Sequence, residues 1–247
     1  MSKKTKQKYE DDFQMSKTYN DASEPQLKAL EHSFEFINKY IPNYLFEKNQ
    51  KEISIADYGS SEGKNATILM KHVTSLIKSA KKDTKIKIYF TDRESNQWST
   101  LFSLLNQKDE ILNYENEVLC SCIGKSFYKQ VFPKNSIDFG FSGNSFHWAS
   151  ENYNKSTLDK GLARKDWEDI LKNRSLELKP DGILIVNFVA FDENLKPPFY
   201  LEILKKVMKQ MIELKKLTKE ECKTFYLPVH RRDEKEIFNQ EIGRAHV

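Results

Sequence analysis

Cysteine is scarce in this sequence. Three residues, Cys120, Cys122 and Cys222, stand among 247, and an odd count without a spacing pattern offers no disulfide framework. Cys120-Ser121-Cys122 has no second Cys/His cluster near it. It therefore reads as two strand residues facing opposite sides of a sheet, not as a metal site. Long apolar runs are missing too, which excludes a membrane-spanning helix. The opening M-S-K-K-T-K-Q-K is basic but has no apolar core, so it is not a secretory signal. There is no excess of one charge. Forty basic residues face thirty-six acidic ones, a net +4, which does not mark a nucleic-acid surface. Together these absences describe a soluble, intracellular protein. The 247 residues suit one α/β domain, or one domain with an insertion.

What is present is an alternation of strand and helix patterns. Residues 1–18 form a polar arm expected to be flexible. Ser23, Pro25 and Gln26 read as the start of a helix with a capping box, running to about Tyr40 with Leu27, Leu30, Phe34 and Ile37 on one face. Ile53 and Ile55 mark a first buried strand, and an amphipathic helix follows over 65–78. Strands are expected at 85–91, 118–123, 136–141 and 183–189. Helices are expected near 98–105 and over 165–178 and 201–217. Lys179-Pro180-Asp181-Gly182 reads as a turn closing the helix over 165–178, and the strand after it, apolar on both faces, as a central parallel one. Five strands alternating with helices predict an α/β fold with a doubly wound, Rossmann-like sheet.

Ligands of such sheets lie at the carboxyl ends of the strands. The polar and glycine-bearing residues cluster there: Asp57 to Gly63, Asp92, Ser126–Phe127, and Ser142 to Trp148. In I-S-I-A-D-Y-G-S-S-E-G, Gly59 and Gly63 bracket a polar turn where the backbone can pass close to a ligand. An acid just before the first glycine suits a cationic ligand. S-adenosylmethionine (SAM) carries an ammonium group and a dinucleotide pyrophosphate does not. Asp92 lies too far after the turn for the nicotinamide pattern, and the turn is not G-x-G-x-x-G.

These residues also carry a family resemblance. I-A-D-Y-G-S-S-E-G-K-N resembles the I-A-D-L-G-C-S-S-G-x-N signature of the SABATH methyltransferases, which include carboxyl methyltransferases of small acids and N-methyltransferases of the caffeine pathway. The likeness continues in order through Tyr19-Asn20 to Gln26, Thr91-Asp92, G-K-S-F-Y-K-Q-V-F-P at 124–133, S-G-N-S-F-H-W-A-S at 142–150, the segment 176–188, and T-F-Y-L-P at 224–228. It implies a SAM methyltransferase domain over 19–240 with a partial helical cap. It implies a SAM site of Tyr19, Asp57, Gly59, Ser60, Asn65, Asp92, Arg93, Ser126 and Phe127. It implies an acceptor pocket of Gln26, Asn144, His147 and Trp148, filled by a small carboxylic acid. The implied reaction is O-methylation of that carboxylate to a methyl ester, without a catalytic base, metal, nucleic acid or membrane; a homodimer is the assembly it allows, and the cytoplasm the location.

The departures from that pattern are specific. Ser60 replaces the usual Cys and Glu62 the usual Ser, adding a negative charge to the loop. Asn144 replaces an aromatic, implying a wider or more polar pocket. Asn154 and Phe225 match positions of a Mg²⁺ site found in some members, but Lys223 and Tyr226 oppose one. Family chains continue further, so this chain is expected to be an incomplete enzyme, and E-I-G-R-A-H-V at 241–247 reads as a non-native tail. Three other readings share part of the pattern. One is an N-methyltransferase of a small heterocycle, and one a truncated chain that binds SAM without catalysis. The third is a nucleic-acid amino-methyltransferase, suggested only by Pro197-Pro198-Phe199-Tyr200, which follows the wrong strand.

Overall fold

A computed structural model describes residues 19–48, 50–107, 117–150, 160–190, 199–224 and 229–238. The chain divides into two compact units. The first takes in 1–146, 167–188 and 242–247; the second takes in 147–166 and 189–241. The arm before Tyr19, the segment around Asn154, Pro197-Pro198, Phe225–Pro228 and the tail 241–247 lie outside the described residues.

The first unit is built on five parallel strands: β1 (Glu52–Tyr58), β2 (Lys85–Asp92), β3 (Val118–Gly124), β4 (Ile137–Gly143) and β5 (Leu178–Asn187). Their order across the sheet is β3-β2-β1-β4-β5. The chain moves outward from β1 in one direction and then restarts on β1's other side. That reversal opens a crevice at the carboxyl ends of β1 and β4.

Strand periodicity sorts the side chains into two layers. Ile53 and Ile55 of β1, Ile86, Ile88 and Phe90 of β2, and Phe139 and Phe141 of β4 enter one core. Helices α1 (Tyr19–Ala22), α2 (Glu24–Glu31), α3 (Ser33–Lys48), α4 (Lys64–Ala80) and α5 (Trp98–Leu105) supply the near end and this face of the sheet. Leu30, Ile37 and Ile41, with Leu69, Met70, Val73 and Ile77 of α4, are buried against it. On the other face Tyr58 and Tyr89 meet Phe132, and Tyr58 also meets Phe146, which meets Trp167. Trp167 begins the part of α6 (Lys160–Glu177) that belongs to this unit. Burying a set of aromatic and aliphatic side chains on both faces is the main stabilising term, at about 25 cal/mol per Å² of apolar area.

Several expectations are corrected. The helix read from Ser23 to Tyr40 is two helices, with a break at His32 and an end at Lys48, and a further short helix, Tyr19–Ala22, precedes it. Ser23 makes no cap to α2; its hydroxyl donates back to Asn20 O at 3.1 Å. Cys120 and Cys122 pack against the same core, because residues two apart on a strand share a face. Burial pushes the Cys120 thiol up to about 12 and raises Cys122 as well, so neither is a ready metal ligand. The strand after Gly182 is not central: among the described residues β5 ends the sheet and its side chains are half-buried.

The Lys179–Gly182 turn is present, but it lies inside β5. Ile137 pairs with Leu178 and Phe139 with Ile183, so four residues of β5 stand against the single Asp138. Asp181 takes φ +65°, and a Cβ on Gly182 would sit 2.9 Å from Lys179 O. Asp138 fills the notch. It is fully buried and accepts from Tyr44 Oη (2.7 Å), the Ser54 N–H (2.8 Å) and Lys179 Nζ (2.7 Å).

In the second unit, Trp148 pairs with Val229 in an antiparallel bridge, and the His230 N–H donates to His147 O at 2.8 Å. Helices α7 (Phe199–Glu213), α8 (Lys219–Thr224) and α9 (Glu234–Phe238) follow. No helix of the described residues is long and apolar enough to cross a membrane.

The buried notch yields a stability prediction. Asp138→Ala should destabilise the first unit by about 3 kcal/mol, because a buried N–H and a buried hydroxyl lose their acceptor together. Urea denaturation of both proteins measures it; a loss below about 1 kcal/mol would mean that water takes the carboxylate's place.

Candidate functional site

The site begins with one turn. Gly59 and Gly63 adopt φ +93° and +96°, a region that costs glycine nothing and most residues a good deal. The N–H groups of Gly59 and Ser60 both donate to Thr91 O, at 2.8 and 3.0 Å. Thr91 Oγ1 donates back to Asp57 O, and Ser145 Oγ to Gly59 O. The carboxyl ends of β1, β2 and β4 are thereby tied together around the turn. A Cβ on Gly59 would lie 2.2 Å from Ser145 Oγ; one on Gly63 would lie 2.2 Å from Leu101 Cδ1. Gly59 is required by packing as well as by φ, whereas at Gly63 the near atom is the tip of a flexible side chain and φ is the constraint.

Two clefts flank this turn. One, of about 400 Å³, is lined by Gln26, Asp57, Gly59, Ser60, Lys64, Asn65 and Asn144 among others. The other, of about 310 Å³, is lined by Glu62, Asp92, Arg93, Ser95, Asn96 and Gln97. Ser61 borders both.

Asp57 is the most strained group. It is 3% exposed, and burial pushes its carboxyl up to about 7, against a hydrogen bond from Ser60 and with the charge of Asp92 adding. No cation among the described residues draws it back down. Asp92 is also raised by burial, opposed by the N–H groups of Ser61 and Arg93, each 2.7 Å from one of its oxygens. Gln26 Oε1 and Ser61 Oγ are buried and have no hydrogen-bond partner among the described residues. Buried polar atoms without partners are uncommon in proteins, and those in a cleft are the natural contacts of a ligand.

The entry helix docks on the same turn. The Asn20 N–H donates to Glu62 Oε2 at 3.2 Å. Lys64 Nζ donates to Asn20 O, and the Asn65 amide to Ser23 O. Glu62, the residue out of pattern, thus caps α1 rather than standing free in the loop. Tyr19 begins α1, and its side chain is outside the described residues.

The other residues singled out in the sequence lie as follows. Ser126 and Phe127 follow β3; the Phe127 ring stacks at an angle on Tyr128 and Phe146, and lies 3.8 Å from the point a Gly59 Cβ would occupy. Asn144 takes φ +58°, which Asn tolerates better than the aromatic it replaces. Its amide donates to Gln26 O at 3.2 Å. Gln26 and Asn144 therefore share the cleft of Asp57. His147 and Trp148 belong to the second unit, where their rings lie 5.6 Å apart. Burial, with Arg232 nearby, pushes His147 down to about 4, so its imidazole is neutral at physiological pH. The metal positions Asn154, Phe225 and Tyr226 lie outside the described residues.

Sequence reasoning missed Ser61, which the G-S-S run contained without distinguishing it, and Ser145, whose hydroxyl limits Gly59. It also missed Lys64 and Asn20. Their pairing joins residues 44 apart, and no local pattern signals it.

A parallel sheet reversing at β1, with a glycine turn, an acid at the end of β1 and another at the end of β2, defines the SAM-dependent methyltransferase class. The model of the SAM dependent carboxyl methyltransferase family matches residues 12–163, and the chain belongs to that family. It is 29% identical over 223 residues to Methyltransferase FUS9 of Gibberella fujikuroi, covering 85% of this chain and 60% of that protein. It is 27% identical over 163 residues to loganic acid O-methyltransferase of Catharanthus roseus, covering 55% of this chain and 42% of that protein. Among solved structures, a loganic acid methyltransferase with SAH shares the fold, with a TM-score of 0.74, 21% identity, and coverage of 91% of this chain and 73% of that one. Against Methyltransferase LUC1 of Fusarium sp the chain spans 59% of the relative's length, so about three-fifths of these fungal relatives is represented.

Asp57 leads to a prediction without ligand. Its folded pKa of about 7 lies above the unfolded value of 3.8, so the folded protein binds the extra proton. The stability that Asp57 contributes is fully present below about pH 4 and is lost as pH rises through about 7. Asp57→Asn should raise the melting temperature at pH 8 by at least about 2–4 °C, the shift that 1 kcal/mol produces at this size. The gain should vanish near pH 4. A variant that melts lower than the parent at pH 8 would show that the carboxylate already has a partner.

Proposed function

We propose that the chain methylates the carboxylate of a small organic acid, with SAM as methyl donor. The observation that carries this is Asp57: a buried carboxyl held near neutrality beside a glycine turn, facing a cleft with two unpartnered polar atoms. A cationic amino acid group fits there, since it supplies the missing charge. SAM, when bound, offers an electrophilic methyl on a sulfonium. Asp57, Gly59, Ser60 and Asn65 would hold its amino acid part, Asp92 and Arg93 its ribose, and Ser126 and Phe127 its adenine; Tyr19 would close over them.

Gln26, Asn144, His147 and Trp148 would receive the acid. The Gln26 amide and the Trp148 indole N–H can each donate to a carboxylate oxygen. A neutral His147 can add a donor without a charge. An acceptor carboxylate is ionised at pH 7, so no residue has to remove a proton, and catalysis rests on positioning. The family membership and the carboxyl methyltransferases among the relatives support this reading. Cytoplasmic residence, supported by three free cysteines, and a homodimer belong to the same proposal.

Two measurements test it. Asp92→Ala should weaken SAM binding by about 1.5–3 kcal/mol in calorimetry, because carboxylate–hydroxyl bonds are charge-assisted and the Ser61 N–H loses its acceptor. Unchanged affinity would remove Asp92 from the site. Trp148→Phe should leave SAM affinity intact and slow transfer of labelled methyl to a panel of small carboxylic acids at least about tenfold, or about 1.4 kcal/mol. Label appearing in a heterocycle and in none of the acids would favour N-methylation instead.

A further inference from the structure

The loop carrying Ser126 and Phe127 has no regular structure, yet its backbone is held at five groups between Phe127 and Phe132. The partners are three residues at the end of α6, Asn173, Arg174 and Glu177. Arg174 Nη1 donates to Phe127 O at 2.7 Å and Nη2 to Lys129 O at 2.9 Å. The Asn173 amide donates to Tyr128 O, also at 2.9 Å. Glu177 Oε1 accepts from the N–H groups of Val131 and Phe132. Arg174 and Glu177 bond each other through both guanidinium Nε and Nη2, at 2.9 and 2.7 Å, and they are 1% and 0% exposed. Tyr58 Oη donates to Glu177 Oε2 at 2.7 Å, while the Tyr58 ring lies 4.2 Å under the guanidinium. Tyr58 immediately precedes Gly59.

A buried ion pair is a weak way to stabilise a fold; apolar residues of the same size often do as well or better. This one does something apolar residues cannot. A planar fork with five donors can satisfy a carboxylate and two carbonyls together in one fixed geometry. Its anchor, Tyr58, is rigidly part of β1, one residue from the cofactor turn. The loop after β3 is thus referenced to the end of β1 through the end of α6.

We propose that Arg174, with Glu177, is a positioning residue that sets the Ser126–Phe127 loop and with it the selectivity of the site for the adenine of its ligand. This rests on the reading, given above, that Ser126 and Phe127 face the nucleoside part. Neither residue reaches the cleft; they act through the loop backbone and through Tyr58.

Arg174→Lys tests it. The variant keeps the charge and the pair with Glu177, but one ammonium cannot span all three acceptors. Hydrogen–deuterium exchange is read on peptides covering 125–132, with 53–58 and 137–143 as controls. Calorimetry compares S-adenosylhomocysteine with its inosine analogue. Exchange at 125–132 should rise about tenfold with the control strands unchanged, and the preference for the adenine compound should fall about tenfold. A merely structural role would weaken both ligands alike and leave the preference intact. Asn173→Ala, which releases only Tyr128 O, should show the same pattern on a smaller scale, and decides the matter if Arg174→Lys does not fold.

Unchanged exchange at 125–132 in folded Arg174→Lys overturns the proposal. So does an unchanged preference when Ser126→Ala alters it. If Ser126→Ala and Phe127→Leu both leave binding and preference unchanged, the assignment of the loop to the nucleoside has failed, and the inference falls with that premise.

Discussion

The glycine turn at the centre of the first unit's cleft is positioned by one carbonyl. Thr91 O accepts the N–H groups of both Gly59 and Ser60, while the Thr91 hydroxyl donates to Asp57 O. The end of β1 is thereby held to the end of β2 at three points. Ser145, at the end of β4, then closes on Gly59 O from the other side. This arrangement needs a residue without a side chain at 59, and it needs the strand order to reverse at β1. Asp57, Ser61, Asp92 and Asn144 take their places because that junction exists.

The junction is arranged for a ligand at some expense to the free protein. Asp57 is buried where its charge is poorly tolerated, and Gln26 Oε1 and Ser61 Oγ are buried without partners among the described residues. Each is unfavourable alone. They line one cleft, and a zwitterionic amino acid group would relieve the buried acid while offering polar partners to its neighbours. By contrast, Asp138 at the other end of the sheet is satisfied, with three partners and a lysine among them. The difference between Asp138 and Asp57 separates a carboxylate paired within the fold from one without a cation among the described residues.

Glu62 shows how a departure from a pattern can change role. A carboxylate in place of serine adds charge beside Asp57 and Asp92, which by itself would oppose both. It is held instead by the N–H of Asn20, the second residue of a short helix, where negative charge is favourable. Asn144 follows similar logic, since the left-handed backbone there suits Asn and strains an aromatic. Substitutions that look like lost function in a motif thus have local physical reasons.

The sequence by itself determined the alternation of strands and helices, the glycine turn after β1, and the polar residues at strand ends. Those signals are local: periodicity of two or near four, and glycine where φ is positive. Boundaries were harder. The helix from Ser23 breaks at His32, and Lys179–Gly182 bulges within β5 instead of preceding it, because pairing with β4 overrides the local turn signal. That Cys120 and Cys122 share a face follows from the strand period itself. Only the tertiary structure decided that β5 ends the described sheet and that Gln26 lies in the cleft of Asp57. Only it joined Lys64 to Asn20 and Arg174 to the loop at Phe127, residues 44 and 47 apart in the chain. Hydrogen bonds of that kind depend on which elements the strand order makes neighbours, and that order is a property of the packed sheet, absent from any single segment.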